Sequence, residues 1–270
     1  MALHEFPDLE QGTPATTSDG IYSGLTHADL PRGLSPSGAK DILKAPAIYL
    51  HRRRNPEPPS RAMQLGTCTH ALVLEGKVLY LVCADGRTKQ GKEDKARCEA
   101  EGLIPVSQKE ADQIEGMAQA VLEHELAAAI LSEGNAEQAV IWTDEPTGVV
   151  CRGFLDWLHP KVIADLKSTQ DASPAGFGKQ AANLSYDIQS WMYREAVRQI
   201  LGLDLPFLHI AVESHAPYLV AVHQLPPEAD ERGERLARQA LDLYAKCVAD
   251  DDWPGYDTNI IDTTWPRWAA

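Results

Sequence analysis

The spacing of hydrophobic and polar residues predicts a helical first half of the chain. Ser35-Pro36 is typical of a helix N-cap followed by proline at the first helical position, and predicts a short helix through Lys44. Pro46 restarts a second helix, and a third is expected over about 62–75, ending at Gly76. A helix after Ser107 is predicted by apolar residues at helical spacing, namely Ile114, Met117, Ala118, Val121 and Leu122.

The second half is richer in predicted strands. Short apolar runs bounded by turn residues predict strands at 78–84, 137–144, 149–159, 161–167, 206–214 and 218–225. A helix is expected over 185–201, and Pro226-Pro227 introduces a final amphipathic helix with apolar positions at Leu236, Ala237, Ala240, Leu241, Tyr244 and Val248. The charged stretch 86–102 is expected to be exposed. This order predicts an α/β fold with a mixed central β-sheet flanked by helices.

The length of 270 residues suits one sizeable domain. The polar residues 1–20 are expected to form a mobile N-terminal arm. Residues 21–270 are then expected to form a single domain. Its expected parts are a helical N-terminal part at 34–132, a sheet core at 136–224, and a C-terminal helix and tail at 226–270.

Composition is that of an ordinary globular protein, with 44% hydrophobic and 24% charged residues. There is no run of 18 apolar residues, so no membrane partner is expected, and the N-terminus does not resemble a secretory signal. The five cysteines are widely spaced, which favours reduced thiols. We therefore expect a cytoplasmic protein.

Charge is segregated along the chain, whose net charge is −14. Seven Lys and Arg residues against two acids lie between Arg32 and Arg61, whereas ten acids against five bases lie between Leu225 and Ala270. The acidic balance argues against a protein that coats polyanions generally. It leaves room for an enzyme that concentrates basic residues in one groove.

Candidate chemistry lies in the segment GFLDWLHPKVIADLKST, residues 153–169. Residues two apart share one face of a strand, so Asp165 and Lys167 project together from an otherwise apolar strand. A hairpin would bring Asp156, on the preceding strand, close to Asp165. Two adjacent carboxylates favour a hard divalent cation, because the ion relieves their repulsion. A lysine beside that ion could position or deprotonate a water molecule.

Spacing alone leaves another interpretation open. Acid-any-Lys occurs three times, and only the copy at Asp165 lies in a strand that follows a carboxylate-bearing strand. A buried Asp–Lys ion pair remains an alternative for this copy. Gly66 lies four residues before His70, where it would allow the helix to approach the sheet closely. One helix stripe carries Tyr186, Gln189 and Tyr193, which by itself is as expected for packing.

Together these motifs resemble one family. The order Gly-x-x-x-His, Asp, Asp-x-Lys and Gln-x-x-x-Tyr is similar to that of the RecB-like branch of the PD-(D/E)XK nucleases. More narrowly, the phrases YSGLTHADL, LSPSGAKDILKAPAIYLH, GTCTHALVLEG, CRGFLDWL and IADLKST resemble the RecE-type phage and prophage exonucleases. The resemblance runs from about Tyr22 to about Ala249, and it implies a restriction-endonuclease-like core.

The resemblance also implies an activity: 5′→3′ digestion of linear double-stranded DNA with two Mg²⁺ or Mn²⁺ ions, leaving 3′ single strands for recombination by strand annealing. It implies metal ligation by His70, Asp156, Asp165 and the Leu166 main-chain carbonyl. Lys167 would orient or activate the attacking water, and Gln189 and Tyr193 would hold the site or a nearby phosphate. Asp165 stands where many relatives carry Glu, and the shorter side chain could change the metal spacing.

Further residues and partners are implied more weakly. Glu137 is a candidate for contacting the metal ligands without binding the ion itself, because relatives often have an acid before the sheet. DNA-backbone contacts are expected from basic residues at Arg52, Arg53, Arg54, Arg61, Arg87 and Lys89. Solvated charged surface is an equal alternative for each of them. The resemblance implies a homo-oligomeric ring, trimer or tetramer, around DNA ends, and a single-strand annealing protein as partner.

The motifs of several other functions are incomplete or absent in this sequence. Residues 86–92 match most of a phosphate-binding P-loop, but Glu93 replaces the required Ser or Thr, and the charge run is expected to be a poor helix start. The sequence has no HExxH or CxxC for zinc, and Cys247 stands alone where an iron–sulfur cluster would need several cysteines. A structure-specific endonuclease with the same site, or a non-catalytic module that binds DNA or a recombination partner, stays open.

Overall fold

The computed structural model describes residues 10–11, 19–263 and 265. Its strands are β1 (Glu10–Gln11), β2 (Gly20–Ser23), β3 (Tyr80–Val82), β4 (Ile104–Val106), β5 (Asn135–Asp144), β6 (Val149–His159), β7 (Val162–Thr169), β8 (Phe207–Glu213) and β9 (Val220–Gln224). Its helices are α1 (Pro36–Lys44), α2 (Pro46–Arg54), α3 (Arg61–Glu75), α4 (Lys89–Glu101), α5 (Gln108–Glu123), α6 (Glu125–Leu131), α7 (Pro174–Asn183), α8 (Tyr186–Leu201) and α9 (Pro227–Asp250).

Seven strands form one mixed sheet in the order β1-β2-β5-β6-β7-β8-β9. The β1–β2 and β7–β8 pairs are parallel and the other neighbours are antiparallel. A separate two-stranded sheet joins β3 and β4. The predicted α/β class, with a mixed central sheet and flanking helices, is therefore confirmed.

Two apolar cores cover the two faces of the sheet. Leu155, Ile163 and Phe207 lie in a core built with α1, α8 and α9. Trp157 and Ala164 lie in the other core, which α3, α5 and α6 complete. None of the helices in residues 19–263 has the length and hydrophobicity needed to cross a membrane.

Most predicted helix boundaries are confirmed, because the capping residues act locally. The Ser35 hydroxyl accepts a hydrogen bond from the Gly38 N–H at the start of α1. Ser107 and Glu110 form a reciprocal capping box at the start of α5. Gly76 ends α3 in the left-handed conformation that glycine adopts without strain. Leu122 and Val248 are exceptions on the predicted apolar stripes, since about half of each side chain is exposed.

Several expectations were wrong. The strand expected at 78–84 is only Tyr80–Val82, and it pairs outside the main sheet. The charge run after residue 86 was expected to be a poor helix start, but it forms α4, since the Thr88 hydroxyl caps Gly91 and Gly102 ends the helix. The remaining elements that sequence reasoning missed are β1, β2, β4, α6 and α7. The expected arm at 1–20 lies mostly outside the described residues.

Side-chain alternation reverses near the middle of the sheet. Leu155 and Trp157 are two residues apart on β6, yet they lie in the cores on opposite faces. On the neighbouring strand, Val140 and Ala136 are divided in the same way, and Glu137 between them has a left-handed φ of 48°. The reversal falls at Glu137 and Asp156, which the strand register on both sides places opposite each other.

Candidate active site

Asp156 lies where β6 and β7 stop pairing. The antiparallel register ends at Trp157 opposite Ala164, so Asp156 and Asp165 are the next pair along two separating strands. The Leu166 main-chain N–H donates a hydrogen bond to Asp156 Oδ2 at 2.9 Å. The Asp156 carboxylate thus takes the position of a strand partner, and its oxygens are held in the opening between the strands.

Three possible metal donors meet at this opening. One ligand atom each from His70, Glu137 and Asp156 lies within 4.8 Å of the others. His70 projects from α3, with Nδ1 3.5 Å from Asp156 Oδ2. A glycine at 66 is not required for this approach, because a methyl group there would meet only the Ser168 hydroxyl, at an ordinary contact distance of 3.6 Å. The expectation that Gly66 permits a close approach was therefore wrong.

Asp165 faces a different set of partners. Its Oδ2 lies 2.5 Å from Lys167 Nζ, and its Oδ1 accepts a hydrogen bond from Gln189 Nε2 at 2.7 Å. Both Asp165 and Lys167 project to the same side, as strand alternation predicted. In this arrangement the Asp165 carboxylate is held by Lys167 and Gln189. The cluster of His70, Glu137 and Asp156 lies beside Asp165 but does not include it.

Tyr193, one turn after Gln189 on α8, supports the strand that carries Asp156. Its hydroxyl oxygen accepts a hydrogen bond from the Phe154 main-chain N–H at 3.2 Å. A Cβ at Gly153 would lie 2.5 Å from the Tyr193 ring, so only glycine lets the ring lie against β6. Tyr193 therefore holds the backbone next to the site rather than a carboxylate.

Three carboxylates, of Glu137, Asp156 and Asp165, lie close together at the site. Burial, with the charge of Asp165, raises the pKa of Asp156. Burial, with the charge of Asp156, raises the pKa of Glu137 to about 7. Part of each shift comes from a neighbouring carboxylate, and a bound cation relieves that kind of repulsion.

The Asp165–Lys167 pair has the opposite balance. Burial alone would raise the pKa of Asp165, but Lys167 outweighs it and the net pKa is lowered. Burial alone would lower the pKa of Lys167, but the charges of Asp165 and Asp156 raise it to about 12. Lys167 is therefore an ammonium ion at neutral pH, able to donate hydrogen bonds.

The donor set fits a hard divalent cation. Two carboxylates and one imidazole offer ligand atoms within reach of one ion, and Asp165 is the next acid along the opening. The Leu166 N–H is engaged by Asp156, while ligation by its carbonyl stays a prediction. The structure thus brings together His70, Asp156, Asp165, Lys167 and Gln189, as the motif order suggested, and adds Glu137 to the donor cluster.

The predicted DNA-contact residues are scattered, and four of the six have partners within the chain. Arg52 pairs with Asp41, Arg87 with Asp85 and Lys89 with Glu93. The Arg61 guanidinium is held by the Glu110 carboxylate, the Pro105 carbonyl and Gln64. Arg53 and Arg54 are exposed on α2. DNA contact by any of these residues stays a prediction.

Two residues near the site were missed by sequence reasoning. Lys40, on α1, lies over the Tyr186 ring, which Lys167 also contacts. His209, opposite Asp165 in the β7–β8 register, is fully buried among aromatic rings. The sequence did not show that β8 pairs with β7. His209 therefore could not be placed beside Asp165 from the sequence, although the alternation of side chains along β8 indicated which residues share its face. No local signal distinguishes Lys40.

Comparison with known proteins supports this architecture. A family described as "PDDEXK-like domain of unknown function (DUF3799)" matches residues 35–263. No curated protein matches the chain. A solved structure of a "Putative exonuclease" from Eubacterium rectale superimposes with a TM-score of 0.61 at 17% sequence identity, covering 87% of this chain and 91% of that one.

A second solved structure, a phage related exonuclease from Haemophilus somnus 129PT, covers 83% of this chain and 98% of that one. The two structures superimpose with a TM-score of only 0.34 at 13% sequence identity, which is too low to show a shared fold. The Eubacterium rectale structure, at its low identity, shows a shared fold. The family match extends over strands β3 to β9 and all the helices named above, including every residue of the site. The chain therefore belongs to the PDDEXK-like family DUF3799.

Proposed function

We propose that the protein is a divalent-metal-dependent deoxyribonuclease that hydrolyses DNA phosphodiester bonds. The observation that carries the proposal is the cluster of His70, Glu137 and Asp156 ligand atoms within 4.8 Å of one another, next to the Asp165–Lys167 pair. A nuclease-like fold has many uses, so the function rests on this group of residues rather than on the fold.

Mg²⁺ or Mn²⁺ would be held by His70, Asp156 and Glu137, with Asp165 and the Leu166 carbonyl available to a second ion. When bound, such ions stabilise charge on the attacking and leaving oxygens of an in-line displacement. Asp156 and Glu137 lie close enough together for one cation to relieve the repulsion between their charges, which supports this assignment.

The residues of this chain have separable roles in the proposed reaction. Lys167 lies 2.5 Å from Asp165 Oδ2, where its ammonium group would orient or activate the attacking water and neutralise phosphate charge. Gln189 fixes the Asp165 carboxylate through its 2.7 Å hydrogen bond. Tyr193 holds the Phe154 backbone and so the orientation of β6 near Asp156. Gln189 and Tyr193 are positioning residues in this scheme.

We further propose 5′→3′ exonuclease activity on linear double-stranded DNA, which leaves 3′ single strands for an annealing protein. The support is the resemblance of the motif phrases to RecE-type exonucleases, together with a structural neighbour named as an exonuclease. The same resemblance supports a trimeric or tetrameric ring and a bacterial host cell. The chain length and the order of elements support a single nuclease domain over 21–270, and the widely spaced cysteines support action in the cytoplasm.

Digestion of end-labelled DNA tests the proposal. Linear duplexes labelled at the 5′ or the 3′ end, and covalently closed circles, are incubated with Mg²⁺ or with EDTA. The wild type is compared with Asp165→Asn and with the control Asp112→Asn, an exposed position on α5. We expect metal-dependent release of the 5′ label from linear DNA by the wild type and the control, and none by Asp165→Asn.

Other outcomes assign other functions. Cutting of closed circles would identify an endonuclease, and early release of the 3′ label would reverse the polarity. DNA binding without metal-dependent cutting of either substrate would identify a binding module. Full activity of Asp165→Asn would show that the site is elsewhere.

A further inference from the structure

Lys40 is a cation near the site that the proposed reaction does not use. It lies on α1, and its Nζ is 5.3 Å from the centroid of the Tyr186 ring. Lys167 Nζ lies 5.2 Å from the same centroid. Two ammonium groups on different elements therefore share one aromatic ring, an arrangement in which the two positive charges repel each other.

The aromatic platform beneath these lysines is well held. The Tyr186 ring stacks on the buried His209 ring, with centroids 5.6 Å apart and an angle of 18° between the planes. The Tyr186 hydroxyl oxygen accepts a hydrogen bond from Gln180 Nε2 at 3.1 Å. Because the ring is fixed at both its face and its tip, the two ammonium groups are held in defined places.

The acids near Lys40 already have cationic partners. Asp165 pairs with Lys167 at 2.5 Å, and Asp187 pairs with Arg232 at 2.6 Å. Within residues 19–263, no carboxylate oxygen lies within 4.0 Å of Lys40 Nζ. The positive charge of Lys40 is therefore not neutralised by an ion pair within the described part of the chain.

Of the two lysines, Lys167 has a carboxylate partner in Asp165, whereas Lys40 has none within residues 19–263. Lys40 is half-buried, and burial, followed by the charge of Lys167, lowers its pKa to about 8. An anion that reached both ammonium groups would remove their mutual repulsion and replace lost hydration. Within the proposed function, the anion available at this place is the phosphate backbone of DNA.

We propose that Lys40 is a phosphate-binding residue that holds a backbone phosphate of the DNA substrate beside the phosphate that reacts near Lys167. This inference rests on the proposed nuclease function and deepens it. Lysine suits the role because its ammonium group is a compact point charge. A contact of this kind sets the register of the strand in the site without reading its sequence.

Equilibrium binding tests the proposal without turnover. A fluorescent linear duplex is titrated with protein in EDTA at a series of salt concentrations. Lys40→Met keeps the apolar stem and removes the charge, Lys40→Arg keeps the charge, and Lys44→Met is the matched control. Lys44 lies one turn further along α1, is exposed, and approaches Asp41 at 4.0 Å.

We expect Lys40→Met to bind about 10-fold more weakly at low salt, with a slope of log K against log salt smaller in magnitude by about 0.9, the value for one lost phosphate contact. Lys40→Arg and Lys44→Met should bind like the wild type. In Mg²⁺, Lys40→Met should raise KM by a similar factor and change kcat little, whereas loss of Lys167 should lower kcat.

An unchanged affinity and salt slope for Lys40→Met would overturn the inference. A weaker affinity with an unchanged slope would also overturn it, since it would indicate a structural contact with Tyr186. If Lys40→Met fails to fold, Lys40→Gln undergoes the same titration with the same two criteria. Failure of the proposed function looks different: the wild type would show no metal-dependent hydrolysis at all, whatever the variants bind.

Discussion

The two ends of the β5–β6 hairpin carry acids that are fully buried at the turn and partly buried at the open end, and their negative charges have different partners. At the turn, Asp144 is fully buried, accepts a hydrogen bond from Thr147 Oγ1 at 2.6 Å, and pairs with Arg238 of α9. At the open end, Glu137 and Asp156 lie together with His70 and the Leu166 N–H, and among the described residues no lysine or arginine nitrogen lies within 4.0 Å of their carboxylate oxygens.

The difference separates a structural acid from a candidate ligand. The charge of an acid that pairs with its own arginine is compensated. Removing either partner leaves the other charge buried without a partner. Acids held together without such a cation keep their repulsion, and this unrelieved repulsion is what a bound metal ion would use. Burial of an acid therefore does not identify the site. What distinguishes the site is that its acids lie together without a lysine or arginine partner of their own.

The largest expected effect is on catalysis. Asp156→Asn should lower kcat/KM on linear duplex DNA by about 10³-fold, a loss of about 4 kcal/mol of transition-state stabilisation, because a metal donor is removed. Asp144→Asn should retain the wild-type rate per folded molecule. Steady-state digestion with active-site titration checks this, and equal losses in the two variants would erase the distinction between the two ends.

The next effect is on stability and runs in the opposite direction. Asp144→Asn should lower the free energy of unfolding by about 3 kcal/mol, because Arg238 loses its buried partner. Asp156→Asn should be neutral or stabilising without metal, since it relieves repulsion with Asp165 and Glu137. Urea unfolding in EDTA measures both, and strong destabilisation by Asp156→Asn would contradict our account of the open end.

Metal binding should sharpen the same contrast. Mg²⁺ at about 100 times its Kd should add about 2.7 kcal/mol to the free energy of unfolding of the wild type, because it binds only the folded site. The increment should persist in Asp144→Asn and disappear in Asp156→Asn. Thermal unfolding with and without Mg²⁺ measures it, with a matched ionic strength of NaCl as the control. A rise equal in all three proteins would point to nonspecific binding.

The smallest expected effect concerns a partly exposed ion pair. Hydrogen bonding to Arg61 and Ser107 lowers the pKa of Glu110 to about 2. A lowered folded-state pKa contributes stability above the unfolded value of about 4.3, and this stability is lost as the pH falls towards 2. Glu110→Gln should therefore cost about 1 kcal/mol or less near pH 6 and nothing near pH 2.

Thermal unfolding of wild type and Glu110→Gln at several pH values measures this, with Glu99→Gln, an exposed position on α4, as control. A difference that grows as the pH falls would contradict the sign. The expected loss of stability in Glu110→Gln is smaller than that in Asp144→Asn, because the Asp144 carboxylate is fully buried.

Local signals in the sequence were sufficient for much of the fold and for part of the site. Ser35, Ser107 and Gly76 act within one helical turn, so their helix boundaries were predictable. Alternation within one strand placed Asp165 and Lys167 on one side, and a short hairpin placed Asp156 nearby. The charged α4 was missed because its helix depends on the Thr88 cap and on i,i+4 pairs rather than on an apolar stripe.

The sequence by itself determined the class of fold, the order of the motif residues and the Asp-x-Lys pair, because these depend on contacts between near neighbours. Only the tertiary structure decided that Glu137 joins His70 and Asp156, since strand register and a reversal of side-chain alternation bring them together. It also decided that Arg61 is held by Glu110, while Lys40 lies beside Lys167 and has no ion pair with any residue of 19–263. Which charges are compensated depends on partners distant in sequence, and only the packed chain brings those partners into contact.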